Sequence, residues 1–373
     1  MRILMLVNWK IEYCSRIPPD KQPPDYYVKN CPYWFFRYFK EPIEVDVADI
    51  HTFPWLERFE KEKLRFYTVQ TLKALPEIGK YDLILSHGMQ SGIVLSLFRR
   101  VFRTKAKHIV FDIGAFNSAA ESGMALRLMQ FASKSIDGVI YHTSGQAEYY
   151  QKYFPWILQK STFIKFGTDA EFFQSVTETN KPKQGTGIKK NPYILCVGYN
   201  KRDWDTLYSA FDKLRQRKAN VNQDGGERVH LRLIGHPQFH PDDKEVESIP
   251  AVPVGQLIKE IQNALFCVLP LEYLLYSFGQ MTLLQQMALS KAVITAKVPS
   301  MVDYVVDGED ALLYAPGDAE DLCRKMQLLL TDSELREKIG KNGADSIKNQ
   351  WNERCMAEEI ERYLYKIAGK EKA

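Results

Sequence analysis

An α/β chain folded as two doubly wound parallel-sheet domains is predicted by three observations. Short apolar runs alternate with segments of helical period along the whole chain. That alternation stops at the polar stretch 175–191 and restarts after it. The length, 373 residues, exceeds one ordinary core, and 45% hydrophobic with 26% charged residues is a balance that can bury two.

In the first half the expected strands are Arg2 to Val7, Val45 to Val47, Leu83 to Ser86, His108 to Phe111, Val139 to His142 and Thr162 to Lys165. Helical patterns Gly92 to Arg103, Glu121 to Ser135 and Gln146 to Tyr153 separate them. This gives a first domain over 1–174. Ser175 to Asn191, rich in Lys, Gly and Thr and without apolar periodicity, reads as an exposed linker.

The second domain, 192–350, starts with strand Tyr193 to Val197, helix Asp205 to Gln216, strand His230 to Ile234 and helix Leu257 to Ala264. A buried strand Leu265 to Leu269, the turn Ser277-Phe278-Gly279-Gln280, helix Met281 to Leu289 and strand Ala292 to Thr295 form a right-handed βαβ crossover. Then come an apolar segment Val302 to Val306, helix Ala319 to Leu330 with Asp318 as its cap, and Ser333 to Asn349. A terminal helix, Asn352 to Ile367, lies in the last segment, 351–373.

The six cysteines lack C-x-x-C spacing, and Cys196 and Cys267 fall in expected core strands, so a reduced, cytoplasmic protein without a structural metal is expected. Met1 to Val7 is too short for a signal peptide, and no apolar run reaches membrane-spanning length. Net charge is only +4. By sign count, roughly five net positive charges precede residue 175 and about one net negative charge follows it. The excess gathers near aromatics in Tyr26 to Lys40 and Leu97 to Lys107. Such a surface can rest on anionic lipid headgroups, on the inner face of a membrane. Core aromatics beside solvated charges are the commoner reading. No nucleic-acid partner is expected.

Residues that end parallel strands lie where ligands bind in such sheets. Gly198-Tyr199-Asn200-Lys201-Arg202 follows the first strand of the second domain, and Lys201 and Arg202 can neutralise a diphosphate. Gly279 at a helix start lets free N–H groups approach an anion. Gly235 ends the next strand. In the first domain His87 and Asp112 end strands, His87 suited to proton transfer near neutral pH and Asp112 to orienting a sugar hydroxyl or acting as a base, with Asn117 on the acceptor side. A capping or turn role is the plainer alternative for each. No G-x-x-x-x-G-K-[ST], G-x-G-x-x-G, G-x-S-x-G or Cys₂His₂ pattern occurs, which weighs against nucleotide hydrolases, dinucleotide oxidoreductases and serine hydrolases.

The chain resembles a family 4-type glycosyltransferase of GT-B fold. The resemblance runs through Tyr193 to Gly198, Leu231 to Gly235, Leu269-Pro270, Gly279 to Ala288, Lys291 to Ile294 and Val305 to Ala311, and more loosely through Tyr81 to Ile84 and Phe166 to Asp169. It implies two Rossmann-like domains facing a central cleft, with the terminal helix crossing back to the first. It also implies a nucleotide sugar held by the second domain, through Gly198, Lys201, Arg202, Gly235, Ser277, Gly279, Gln280, Thr282 and Gln285. Arg202 stands where the family's loop lysine usually does, and Ser277 and Gln285 replace its two spaced glutamates. An uncharged amide still bonds a hydroxyl, without charge. Phe111-Asp112 stands where many members have His-Asp, and Asn8 to Glu12 replaces the usual Gly-rich loop.

The expected activity is transfer of a hexosyl group, with retention implied by the family, from a nucleoside-diphosphate sugar to a glycan, lipid-linked or small-molecule hydroxyl. The setting would be cell-surface polysaccharide or glycolipid synthesis, with no metal or other cofactor. A degenerate scaffold that only binds a nucleotide sugar or docks on a partner enzyme is the alternative, and epimerisation of the sugar a third.

Overall fold

A computed structural model of the chain describes residues 1–18, 21–114, 116, 121–179, 192–221, 229–235 and 243–370. Contacts divide it into two units: Met1–Lys165 with Leu275–Phe278 and Glu353–Ala373, and Phe166–Leu274 with Gly279–Asn352.

The first unit is built on β1 (Arg2–Leu6), β2 (Glu12–Cys14), β3 (Tyr26–Val28), β4 (Glu44–Ala48), β5 (Leu83–His87), β6 (Lys107–Asp112), β7 (Gly138–Tyr141) and β8 (Ser161–Phe163). Six of these form one parallel sheet in the order β4-β1-β5-β6-β7-β8, and β2 pairs with β3. Residue Ile3 lies opposite Val45 on one side and Leu83 on the other. All five residues of β5 are buried, as expected for a strand covered by helices on both faces.

The second unit carries β9 (Tyr193–Val197), β10 (His230–Ile234), β11 (Val246–Ile249), β12 (Cys267–Leu269), β13 (Val293–Ala296) and β14 (Leu312–Tyr314) in the parallel order β11-β10-β9-β12-β13-β14. In each sheet the chain first builds outward on one side of its first strand and then on the other. The order therefore reverses between β1 and β5 in the first unit and between β9 and β12 in the second. Ligands of open α/β sheets bind outside the carboxyl ends at that reversal.

Several expectations need correction. Residues 175–179 close the helix Ala170–Thr179 and are not linker; 180–191 lie outside the described residues. The sixth strand of the second sheet is Leu312–Tyr314, and Val302 to Val306 contributes only the end of the short helix Pro299–Val302. Val246–Ile249 is a further strand beyond those expected from the sequence. Asp318 does cap its helix, accepting the N–H groups of Glu320 and Asp321 at 2.9 Å.

In the aromatic run after Tyr26, the reading as core aromatics beside solvated charges holds for four residues. Tyr33, Trp34, Phe35 and Phe36 are buried, Trp34 to Phe36 within a short 3₁₀ helix. Trp34 Nε1 donates to Glu353 Oε1 at 3.0 Å, and Arg37 pairs with Glu353 at 2.7 Å. The carboxylate that meets both comes from the last helix, Glu353–Ala368, so Tyr33 to Phe36 are core of the first unit. The same helix is fixed further along by Tyr363, whose hydroxyl donates to the Lys160 carbonyl at 2.6 Å and accepts the Val139 N–H at 3.0 Å.

Candidate functional site

In the second unit, β9 is followed by Gly198, whose φ of +85° is open to glycine at little cost. The chain then turns over Lys201, at φ +56°, and folds the Arg202 side chain back over Gly198. A Cβ on Gly198 would stand 2.8 Å from Arg202 Nη2. The guanidinium donates through Nε and Nη2 to the Val197 carbonyl at 3.2 and 2.9 Å, and through Nη1 to the Asn200 carbonyl at 2.9 Å. Nη2 also reaches Thr282 Oγ1 at 3.5 Å. Arg202 is buried, and among the described residues no carboxylate pairs with it. Burial pulls its pKa down, but an arginine remains charged. A buried cation balanced only by carbonyl and hydroxyl dipoles attracts an anion.

Thr282 lies in the first turn of the helix Gln280–Ala288. Gly279 caps that helix at φ +82° and provides no side chain for the leading N–H groups. Leu271 joins the two loops: it forms an antiparallel bridge with Arg202 and packs 3.1 Å from where a Gly279 Cβ would stand. These loops follow β9 and β12, so guanidinium and helix end meet at the reversal of strand order. Gly235, at φ +82°, ends β10 beside Gly198. Gln280 is buried with its Nε2 unpartnered, and Gln285 lies partly buried further along the helix. Lys201 is partly exposed and sits 3.5 Å from Glu272. Ser277 groups with the first unit through Leu275–Phe278.

In the first unit the reversal between β1 and β5 brings His87 together with Asn8, Trp9 and Gln90, none of which has a role in the sequence analysis. His87 Nδ1 is 3.3 Å from Asn8 Oδ1, while Asn8 Nδ2 donates to Gln90 Oε1 at 3.2 Å. With Asn8 presenting its carbonyl oxygen, the consistent imidazole tautomer carries the proton on Nδ1 and leaves Nε2 as an acceptor. Trp9 meets the His87 ring edge-on at a centroid distance of 4.5 Å. Burial, reinforced by His142, pushes the His87 pKa down to about 3, so the ring stays neutral at physiological pH. The signal that could have found Asn8 and Trp9 is positional: they follow β1, beside the strand that ends in His87.

Asp112 is placed differently from the expectation. It ends β6, one strand beyond the reversal, and is fully buried. Its Oδ1 accepts the Gly114 N–H at 3.0 Å, and its Oδ2 accepts from Gln146 Nε2 at 3.0 Å and from the Tyr150 hydroxyl. Burial raises its pKa against the opposing pull of these donors. A carboxylate so engaged ties Gly114 to the end of β6, the turn role given in the sequence analysis. Asn117 lies outside the described residues. Among the described residues no group of three or more His, Cys, Asp or Glu side chains is placed to hold a metal ion, and no helix is long and apolar enough to cross a membrane.

Residues 178–346 match the family model described as Glycosyl transferases group 1. The capsular polysaccharide biosynthesis glycosyltransferase CapM of Staphylococcus aureus is 36% identical over 84 residues, 22% of this chain and 22% of that protein. The N,N'-diacetylbacillosaminyl-diphospho-undecaprenol alpha-1,3-N-acetylgalactosaminyltransferase of Campylobacter jejuni is 24% identical over 204 residues, 52% of this chain and 50% of that one. The matched stretches thus span half or less of these relatives. Among solved structures, Anabaena HepE in complex with UDP-glucose superposes with a TM-score of 0.64 at 14% identity, covering 98% of this chain and 100% of that one. At that identity the likeness shows the fold: two Rossmann-like parallel-sheet units of GT-B type.

Proposed function

We propose, from the premise that residues 178–346 are a glycosyl transferases group 1 segment on a GT-B fold, that this chain moves a sugar from a nucleoside-diphosphate sugar to a hydroxyl acceptor. The observation that carries the reading is Arg202, a buried guanidinium without a carboxylate partner among the described residues, touching the first turn of the Gln280–Ala288 helix.

Breaking the anomeric bond leaves negative charge on the departing diphosphate and positive charge on the sugar. Arg202, the N–H groups after Gly279 and, once released from Glu272, Lys201 stabilise the departing charge. The exposed Lys201–Glu272 pair is worth under about 1 kcal/mol, so its opening costs little. Because Arg202 is held by backbone carbonyls before any ligand arrives, little reorganisation accompanies the reaction. Gln280 and Gln285 hydrogen-bond the donor without charge. On the first unit, neutral His87 orients the acceptor hydroxyl through Nε2, with Asn8 fixing its tautomer. We assign retention of anomeric configuration, a lipid-linked or glycan acceptor, and work at the cytoplasmic face of a membrane. The capsular and diphospho-undecaprenol relatives support that setting by their names.

A panel of nucleotide sugars tests the donor. A ligand at a hundred times its Kd stabilises the fold by about 2.7 kcal/mol, readable as a thermal shift. Release of nucleoside diphosphate with acceptor then reports turnover. A reading of binding without turnover draws on two observations: Asp112 is engaged by Gly114, Gln146 and Tyr150, and His87 is neutral. Donor stabilisation with no release across lipid and glycan acceptors establishes it; absence of any thermal shift overturns both.

A further inference from the structure

The first unit carries an apolar face whose surroundings are basic. The helix Gly123–Ser133 exposes Met124, Leu128 and Phe131 at 85, 42 and 48%, positions that recur on one side of a helix. Arg127 and Lys134 fall in the same stripe and are exposed. The neighbouring helix Met89–Val101 ends with Val101 exposed at 73%, followed by Phe102 at 56%. Arg100 joins the two helices, its guanidinium 4.8 Å over the Phe131 ring. Neither helix contains an acidic residue. Among the described residues no carboxylate pairs with Arg100, Arg103, Lys105, Arg127 or Lys134; Arg99 is taken by Asp137 at 2.8 Å. Glu121, at the rim, accepts from the Tyr153 hydroxyl at 2.9 Å.

We infer that this face docks on an anionic lipid bilayer, with Met124, Leu128, Phe131 and Phe102 entering the headgroup boundary and Arg100, Arg103, Lys105 and Arg127 meeting lipid phosphates. This deepens the membrane-facing part of the proposed function and rests on it. Apolar groups exposed beside unpaired cations suit an interface that is greasy below and negative above. A second copy fits poorly, since a two-fold contact sets the same patch against itself and brings like charges together. Of the two basic-aromatic segments in the sequence, the one ending at Lys107 contributes, while the one beginning at Tyr26 buries Tyr33 to Phe36.

The test is co-sedimentation of the full chain with vesicles of phosphatidylcholine alone and of phosphatidylcholine mixed equally with phosphatidylglycerol. Wild type is expected on the mixed vesicles, released by raised salt and weak on the neutral ones. Arg127→Glu is expected to reduce partitioning at least roughly fivefold, about the value of one surface charge. Met124→Ser with Phe131→Ser reduces it on both vesicles, and Lys341→Glu, on a helix of the second unit, leaves it unchanged. All these side chains are exposed, and matching thermal melts confirm folding. Equal binding to the two vesicles, or binding indifferent to Arg127→Glu, overturns this surface. No binding by wild type also overturns the membrane setting, while donor thermal shifts without vesicles report on the transfer reaction separately.

Discussion

Arg202 Nη2 stands 3.5 Å from the Thr282 hydroxyl, so a buried guanidinium and the opening turn of the Gln280–Ala288 helix present positive charge at one place. Two residues 80 apart in sequence meet because β9 and β12 are neighbours at the reversal of strand order. Charge and macrodipole reinforce each other there. Arg202→Met is therefore expected to abolish donor-induced thermal stabilisation and to lower turnover by roughly 10²–10³, the range for losing a preorganised donor. The apo protein gives up hydrogen bonds to two carbonyls but also sheds a buried charge, effects of opposite sign of about 1–3 kcal/mol each. Its own melting point should move much less than the ligand-induced shift. Undiminished donor stabilisation in the variant would remove Arg202 from the site.

Gly198 is a sharper probe, because it adds no charge change. At φ +85° a side chain costs roughly 1–2 kcal/mol, and its Cβ would displace a guanidinium now 2.8 Å away. Gly198→Ala should lower stability modestly and donor affinity strongly. Calorimetric titration with the best donor of the panel reads this, and an unchanged Kd contradicts the placement of Arg202 over this turn.

The two sheets were legible because their strands are continuous apolar runs, and the Gly198 and Gly279 loops because strand order fixes which edge they occupy. What stayed hidden depends on partners far apart in sequence. The aromatics after Tyr33 became core through Glu353, 319 residues from Trp34. His87 gained its tautomer from Asn8, 79 residues away, and Asp112 its engagement from Gln146 and Tyr150, 34 and 38 residues on. No local pattern at Asp112 separates a carboxylate aimed at substrate from one folded into its own loop.

Acid sensitivity follows from three buried imidazoles. The pKa values of His87 and His108 are pushed down to about 3 and that of His142 to about 4, in each case chiefly by burial. In the unfolded chain all three bind a proton below about 6.5. Their contribution is whole above that pH and is lost as pH falls toward the folded values. Stability by chemical denaturation should therefore decline as pH falls below about 6.5, the raised Asp112 acting in the opposite direction. His108, between the Ser86 and Ser96 hydroxyls, is the group to remove. His108→Gln should flatten the decline, and an equal slope in the variant refutes its share. Turnover should show no inflection near 6.5 attributable to His87.

Asp112→Asn separates two roles. A base acting on the acceptor would cost about 10²–10⁴ in turnover with the fold intact. The observed network gives a different outcome. The carboxylate takes hydrogen bonds from Gly114, Gln146 and Tyr150 inside a fully buried site, and an amide sets its NH₂ against some of those donors. Leaving buried polar groups mismatched costs about 1–3 kcal/mol, so the melting point should fall. The acceptor KM should rise more than kcat falls. Tyr150→Phe touches no substrate in this arrangement, yet removes one of the same donors. It should shift melting point and acceptor KM in the same direction by a smaller amount. If instead Asp112→Asn leaves stability untouched and suppresses kcat alone while Tyr150→Phe is silent, the carboxylate works on the acceptor and its engagement in the loop is incidental.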